Sequence, residues 1–387
     1  MPLGYEVDRR FSDFFWLRET LIRDHPGVFV PPMAKKSGSG TNKMEASYIM
    51  NRLAILQEFV TALAYHTEIL ADPSLLAFLS AKDQAFEKYK KDCEKSAGLN
   101  SNALIATSGL SKKLFLQKQP VRVEALTTTE GSADVKINPA LGDYSAALNQ
   151  ALKSLFPGMA KCKEHTKTLA SLLSQVKLAV DKLADSVAGV YTTAKKFGDT
   201  TFEKKLGRWS ELEGIFLSLF DCLKSFGGSF DKQNTVLMDT LFHSFRYAKK
   251  EVTVLEELCK LRDDSQKLFM KSYFELESKK DKAFKVGDPA KFGLDPADKA
   301  SIPKEELVSN KVIAKQVMFK EESNQIICMQ KFYGYLNNQL YVETENYQQA
   351  SAVRHKRIFI KFARSFSSLF EEVDYYMTHS FRSTSTS

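Results

Sequence analysis

Cysteine is too sparse and too scattered to organise this chain of 387 residues. The five, Cys93, Cys162, Cys222, Cys259 and Cys328, never stand at C-x-x-C spacing, which argues against a disulfide framework and against a cysteine-built zinc site. The six histidines are equally dispersed, with no H-E-x-x-H or comparable spacing, so no metal ligand set is expected. Also missing are G-x-x-x-x-G-K-[ST], G-x-G-x-x-G after a strand, G-x-S-x-G and any convincing carboxylate pair. The expectation is therefore no catalytic residue, no cofactor and no enzymatic activity. No apolar run approaches the roughly eighteen residues of a membrane span. The stretch MPLGYEVDRR lacks the apolar core of a secretory signal. These absences describe a cytoplasmic protein whose membrane contact is peripheral.

Charge, by contrast, is present in quantity. The net formal charge is +8, with 26% charged and 43% hydrophobic residues, an ordinary balance for a folded chain of two or three domains. The excess is uneven: residues 1–80 carry −1, residues 81–140 carry +3 and residues 141–387 carry +6. A positive C-terminal region favours anionic surfaces. The charge is diffuse and no nucleic-acid module accompanies it, so nucleic acid is not expected as a partner.

Three short patterns stand in order near the start. Arg9-Arg10-Phe11-Ser12-Asp13-Phe14 puts two guanidinium groups beside a flat apolar ring, a pairing suited to a phosphate attached to a ring. Pro31-Pro32-Met33-Ala34-Lys35-Lys36 follows a stiff diproline with two lysines. Ile49, Arg52, Leu53, Leu56 and Phe59 recur at helical spacing. Residues 5–11 and Val28-Phe29-Val30 read as strand-like, and Ser12 as the cap of a helix running through Leu21. Helices are expected at about 45–66 and 72–80. This order resembles the phox-homology (PX) domain of sorting nexins. The resemblance implies an α+β domain over residues 1–80 that binds phosphatidylinositol 3-phosphate. Arg10 would meet the 3-phosphate, Phe11 would lie under the inositol ring, Lys36 would meet the 1-phosphate and Arg52 the ring hydroxyls. The family has about forty further residues before the arginine pair, so the first strands of the domain are expected to be missing here.

Residues 81–140 turn poor in periodicity after a charged helical stub from Lys82 to Lys95 and read as a linker. Beyond it the chain is helical. Leu141, Tyr144, Leu148, Leu152, Leu155 and Met159 form an amphipathic stretch that Pro157-Gly158 ends or kinks. It is either the start of the first long helix or a separate wedge for one membrane leaflet. Long helices are expected at about 159–205, 208–284 and 304–380, with a weak point at Gly227-Gly228 and a Gly/Pro-rich break from 287 to 303. Phe359, Phe362, Phe366 and Phe370 repeat at helical spacing and read as bundle core. At 1.5 Å per residue the longest helix would run on the order of 110 Å, too long to stand without neighbours.

Three such helices resemble the BAR domain of sorting nexins. The resemblance implies a mainly α chain: a partial α+β PX domain, then an elongated three-helix antiparallel coiled-coil BAR domain over residues 141–384. It also implies a homo- or heterodimer formed through that domain, with other sorting nexins or a retromer-like complex as partners. The stretch Cys259-Lys260-Leu261-Arg262-Asp263-Asp264-Ser265-Gln266 looks like one found in sorting nexins four, seven and thirty. Lys249 and Lys250 on the second helix, with Lys260, Arg262, Lys267 and Lys271, and Arg354, Lys356, Arg357, Lys361 and Arg364 on the third, are candidates for a basic patch facing lipid phosphates. The implied function is a curvature-sensing membrane scaffold in endosomal protein transport. The alternative is a coiled-coil protein–protein adaptor that no longer binds lipid.

Overall fold

The computed structural model describes residues 6–33, 46–64, 66–98, 139–199, 209–294 and 301–382. Its contacts divide the chain into two units: residues 1–152 with 253–346, and residues 153–252 with 347–387.

The first unit begins with α1 (Phe11–Asp24). Its start is closed by Asp13, whose Oδ2 accepts from the Arg10 backbone N–H at 2.8 Å, so Arg10 rather than Ser12 occupies the cap position. His25 precedes Pro26, which disfavours a further helical turn, and Gly27 turns the chain with φ +88°. Helices α2 (Ala46–Ala64), α3 (Thr67–Leu70) and α4 (Pro73–Ser80) follow. Asp72 caps α4 by accepting from the Ser74 and Leu75 amides at 2.7 and 3.4 Å. Its other oxygen lies 2.6 Å from His25 Nε2. Burial alone would raise the Asp72 carboxyl, but the His25 bond and the amides hold it below the usual carboxylate range.

Leu17, Leu21, Val28, Val30, Phe59, Leu63, Ile69, Leu75 and Phe78 fill the core between these helices. Phe86, from α5 (Asp83–Gly98), belongs to the same core. It meets Trp16 edge-on at 5.4 Å, and Lys90 on α5 pairs with Asp13 at 2.7 Å. The helical stub read as the beginning of the linker is thus packed on the residues before it. Residues 6–10 and 29–33 belong to no helix or turn, with Arg10 extended, and no β-strand occurs among the described residues. The strand-like sequence is there, but a lone extended segment has no ladder to join.

The long helices are α6 (Pro139–Gly198), α7 (Trp209–Leu237), a π-helical turn (Met238–Phe242), α8 (His243–Val286) and α11 (Lys320–Arg382), with the short α9 (Lys304–Ser309) and α10 (Lys311–Val317) before the last. Helix α6 continues through Pro157, so the 141–156 stretch is its first part and not a separate wedge. Helix α7 likewise continues through Gly227-Gly228.

In the first unit α6 and α11 flank α8. Asn149 reaches Asp263 at 3.4 Å, Tyr144 meets Tyr341 at 5.1 Å, and Lys279 bonds Glu322 at 2.5 Å. Arg262, buried, donates to Asn337 Oδ1 at 2.7 Å, Tyr333 Oη at 2.8 Å, Asp263 Oδ1 at 2.9 Å and Gln266 Oε1 at 3.0 Å. In the second unit, Lys177 pairs with Asp231 at 3.1 Å and Lys224 with Asp185 at 3.0 Å. Phe245 packs near Phe359 at 6.3 Å, and Lys232 pairs with Glu372 at 2.5 Å. Between α6 and α7 in the second unit, and between the α7–α8 run and α11 in both units, the partner's number falls as the helix number rises, so these helices are antiparallel. Of the four repeated phenylalanines, Phe362 and Phe366 are half-buried while Phe359 and Phe370 are exposed; the buried side chain of that stretch is Leu369.

The Gly/Pro-rich break is a small packed capsule. Phe292, Leu294, Leu307, Ala314 and Met318 bury one another, and the Phe319 amide donates to the Phe292 carbonyl at 3.1 Å. Phe319 takes φ 50°, and Gly293, at φ 59°, lies under its ring so closely that an added Cβ would sit 2.7 Å from it. The third long helix accordingly starts at Lys320 and not near 304.

Arg262→Ala should strip Asn337 and Tyr333 of their buried donor and cost about 3 kcal/mol. Chemical denaturation of the full chain measures this; a loss of only a few tenths would show that the network contributes nothing net.

Candidate functional site

The two adjacent arginines do not both stand beside the ring for a ligand. Arg9 points inward, its side chain 4% exposed. Its guanidinium donates to the carbonyls of Phe78 at 2.8 Å, Ala81 at 2.5 Å and Ala77 at 3.3 Å, at the C-terminal end of α4. It also lies 4.2 Å from the Phe86 ring centroid and 3.5 Å from Asp83. A helix end leaves carbonyls without partners, and a planar guanidinium with five donors satisfies several at once. Arg10 is exposed.

Beside Arg10, Phe11 is half-buried against Phe15 at 5.9 Å. The Arg52 guanidinium from α2 lies 3.5 Å over the Phe11 ring. Arg18 on α1 donates to the Pro31 carbonyl at 3.0 Å and anchors the diproline segment, whose Pro31, Pro32 and Met33 are buried. The structure therefore brings Arg10, Phe11 and Arg52 to one neighbourhood. Lys36 lies outside the described residues. One exposed guanidinium, Arg10, and one half-buried guanidinium, Arg52, around an aromatic ring can meet an anion attached to a ring by charge-assisted hydrogen bonds and stacking.

The second candidate region divides on inspection. Lys356, Arg357, Lys361 and Arg364 line an open groove of about 740 Å³ on α11 with Val353, Ile360 and Ser365. All four cations are exposed, and among the described residues none is in an ion pair. Arg354 differs: its guanidinium pairs with Glu251, whose side chain is 3% exposed, and lies 5.2 Å from the Tyr247 ring. A buried carboxylate without that partner would be strongly unfavourable, which is why Arg354 turns in. Lys249 is half-buried with its ammonium 4.5 Å from the Phe156 ring, and Lys250 is also half-buried. Arg262 is committed to its buried network. Burial, the largest influence, and the Arg354 charge hold His355 below its ordinary value against the bond His355 Nδ1 makes to the Ser351 carbonyl, so it adds no charge near neutrality. One signal for the face was readable in the sequence: from 346 to 370 there are five Lys/Arg residues and no Asp or Glu.

Among the described residues no group of His, Cys, Asp and Glu is placed to hold a metal ion, and no helix is long and apolar enough to cross a membrane.

Residues 4–82 match the PX domain family model. Sorting nexin 1 of Arabidopsis thaliana is 36% identical over 216 residues, covering 54% of this chain and 49% of that protein. Sorting nexin-7 of Mus musculus is 29% identical over 89 residues, 22% of this chain and 23% of that one. Sorting nexin-1 of Homo sapiens is 26% identical over 192 residues, 47% and 34% of the two. The chain thus spans about half the length of the Arabidopsis relative and less of the mammalian ones. The cryo-EM structure of the SNX-BAR Mvp1 tetramer is similar at 16% identity with a TM-score of 0.47, covering 98% of this chain and 89% of that one.

The family match covers a PX domain at residues 4–82, and long antiparallel helices follow it in the chain. The relatives matched over part of this chain are sorting nexins. They spread over sorting nexins one, four and seven, so they do not select the subgroup suggested by residues 259–266.

Arg9→Ala should lower the stability of the N-terminal region by about 2–4 kcal/mol, because buried carbonyls lose charged donors. Arg10→Ala should leave it within about 0.5 kcal/mol, as expected for an exposed side chain. Denaturant midpoints of the two full-length variants decide; equal losses would contradict the opposite orientations of the two side chains.

Proposed function

We propose that this chain is a peripheral membrane scaffold of endosomal protein sorting. The observation that carries the reading is the unpaired basic face of Lys356, Arg357, Lys361 and Arg364, in a stretch of α11 without acids. Near an anionic bilayer each such cation contributes about 1 kcal/mol, screened over about 10 Å at 0.1 M salt. The second element of the proposal is headgroup recognition. Arg10 takes the 3-phosphate of phosphatidylinositol 3-phosphate, Phe11 stacks under the ring, Arg52 meets the ring hydroxyls, and Lys36 closes the site. Exposure of Arg10 and the nearness of Arg52 to Phe11 support these roles.

The third element is association through the long helices. Leu169, Leu172, Val176, Leu183 and Val190 on α6 are all more than 40% exposed, a larger apolar stripe than a single chain leaves in water without cause. A dimer covers such a stripe, and a rigid dimer with a basic face binds best where the bilayer matches its shape. The competing reading is an adaptor that associates by the same stripe but ignores lipid.

Vesicle co-sedimentation separates them. Arg10→Ala and Arg52→Ala should each weaken binding to vesicles containing phosphatidylinositol 3-phosphate by about tenfold or more, the loss of a charge-assisted phosphate contact. Reversal of Lys356, Arg357 and Lys361 to glutamate should abolish binding to anionic vesicles lacking that lipid and remove the preference for small ones. Binding unchanged in both single variants would rule out the headgroup site, a triple variant that binds like the parent would overturn the role of the basic face, and a parent chain that sediments with neither vesicle would favour the adaptor.

A further inference from the structure

Within the first unit the N-terminal region sits on α11 at a contact that none of these roles uses. His66, at the N-cap of α3, places Nε2 3.1 Å from both carboxylate oxygens of Glu343. The Glu343 side chain is 2% exposed and also accepts from Gln339 Nε2 at 2.9 Å. Gln339 in turn reaches Glu68 on α3 at 3.4 Å. A second segment lands beside it: an added Cβ at Gly27 would lie 2.8 Å from Leu336 and 3.4 Å from Gln339. Leu336, Gln339 and Glu343 are spaced i, i+3, i+7, so one face of α11 receives both segments.

The charges at this seat are unbalanced without a proton. The groups facing His66 are Glu68 from α3 and Glu343 and Gln339 from α11, while His25 and Asp72, from the turn after α1 and the cap of α4, pair with each other. Among the described residues no lysine or arginine pairs with Glu343. A carboxylate this buried needs a cation, and the imidazolium is the cation within reach. We propose that this contact is a proton-dependent clasp, in which charged His66 latches the N-terminal region to α11 through Glu343 and loss of its proton releases it.

The direction follows from the surroundings of the ring. Burial alone would lower the His66 value, but the Glu343 bond and the charges of Glu343 and Glu68 outweigh it and hold the ring above its ordinary value. Such a group contributes its full stabilisation below the ordinary value of about 6.5 and loses it as pH rises through the folded-state value. The clasp is closed in mildly acid solution and opens toward alkaline solution. It stands on the His66–Glu343 geometry and is independent of whether Arg10, Phe11 and Arg52 bind lipid.

Hydrogen exchange on the full-length protein tests it, read at the amides of residues 67–80 and corrected for the intrinsic rate. Between about pH 6 and about pH 8.5 the opening constant should rise by up to about tenfold per pH unit across the transition, the limit for one coupled proton. His66→Gln and Glu343→Gln should flatten that profile at the open level. His66→Lys, charged throughout, should keep these amides protected at both ends. A flat profile in the parent chain, a parental slope in Glu343→Gln, or fast exchange in His66→Lys would each overturn the clasp.

Discussion

Burying a guanidinium is costly unless nearly all of its donors find acceptors, and the N-terminal region is arranged around one that does. Arg9 inserts its donors among the last carbonyls of α4 and rests its plane on Phe86 of α5. One side chain thereby joins the extended entry segment, α4 and α5. The neighbouring positions follow from it. With Arg9 turned in, Arg10 turns out; its amide is closed by Asp13, and Asp13 is held from the other side by Lys90. The exposed half of the arginine pair is exposed because the other half is structural.

The long helices face a different problem. An apolar stripe repeated over many turns is nearly indifferent to sliding by one turn, because similar side chains meet after the slip. Arg262 is not indifferent. Moved one turn along α11 it would lose Asn337 and Tyr333 together and leave a buried charge without acceptors. Arg354 with Glu251 imposes the same condition in the second unit. Charged groups inside otherwise apolar seams therefore set the register, while the stripe supplies most of the burial.

Much of this was legible in the sequence, and the rest was hidden for identifiable reasons. The order of Arg10, Phe11, the diproline and Arg52 pointed to the PX region, and periodicity located α2, α4 and the long helices, because both are local properties. Whether Arg9 or Arg10 faces solvent depends on where α4 ends in space, which no local pattern records. Pro157 read as a stop or a kink, yet tertiary neighbours keep α6 going through it. Phe319 interrupts the third helix with a left-handed backbone that a phenylalanine rarely adopts, and only the packing under its ring explains it. Arg354 looked like its neighbours Lys356 and Arg357 because a one-dimensional cluster does not show that Glu251 lies opposite.

The stacking of Arg52 on Phe11 has a bearing on selectivity. A ligand that approaches that face of the ring must first displace the guanidinium, giving up a contact between two half-buried side chains of about 0.5–2 kcal/mol. A neutral sugar or a plain aromatic recovers nothing for that loss. An anionic ring recovers it at once, since the displaced guanidinium can turn onto the ligand's own negative groups. Binding at the proposed headgroup site is thus an exchange in which one partner of a cation is traded for another. Its discrimination lies in the trade, and it turns away apolar and uncharged visitors without any wall being built against them.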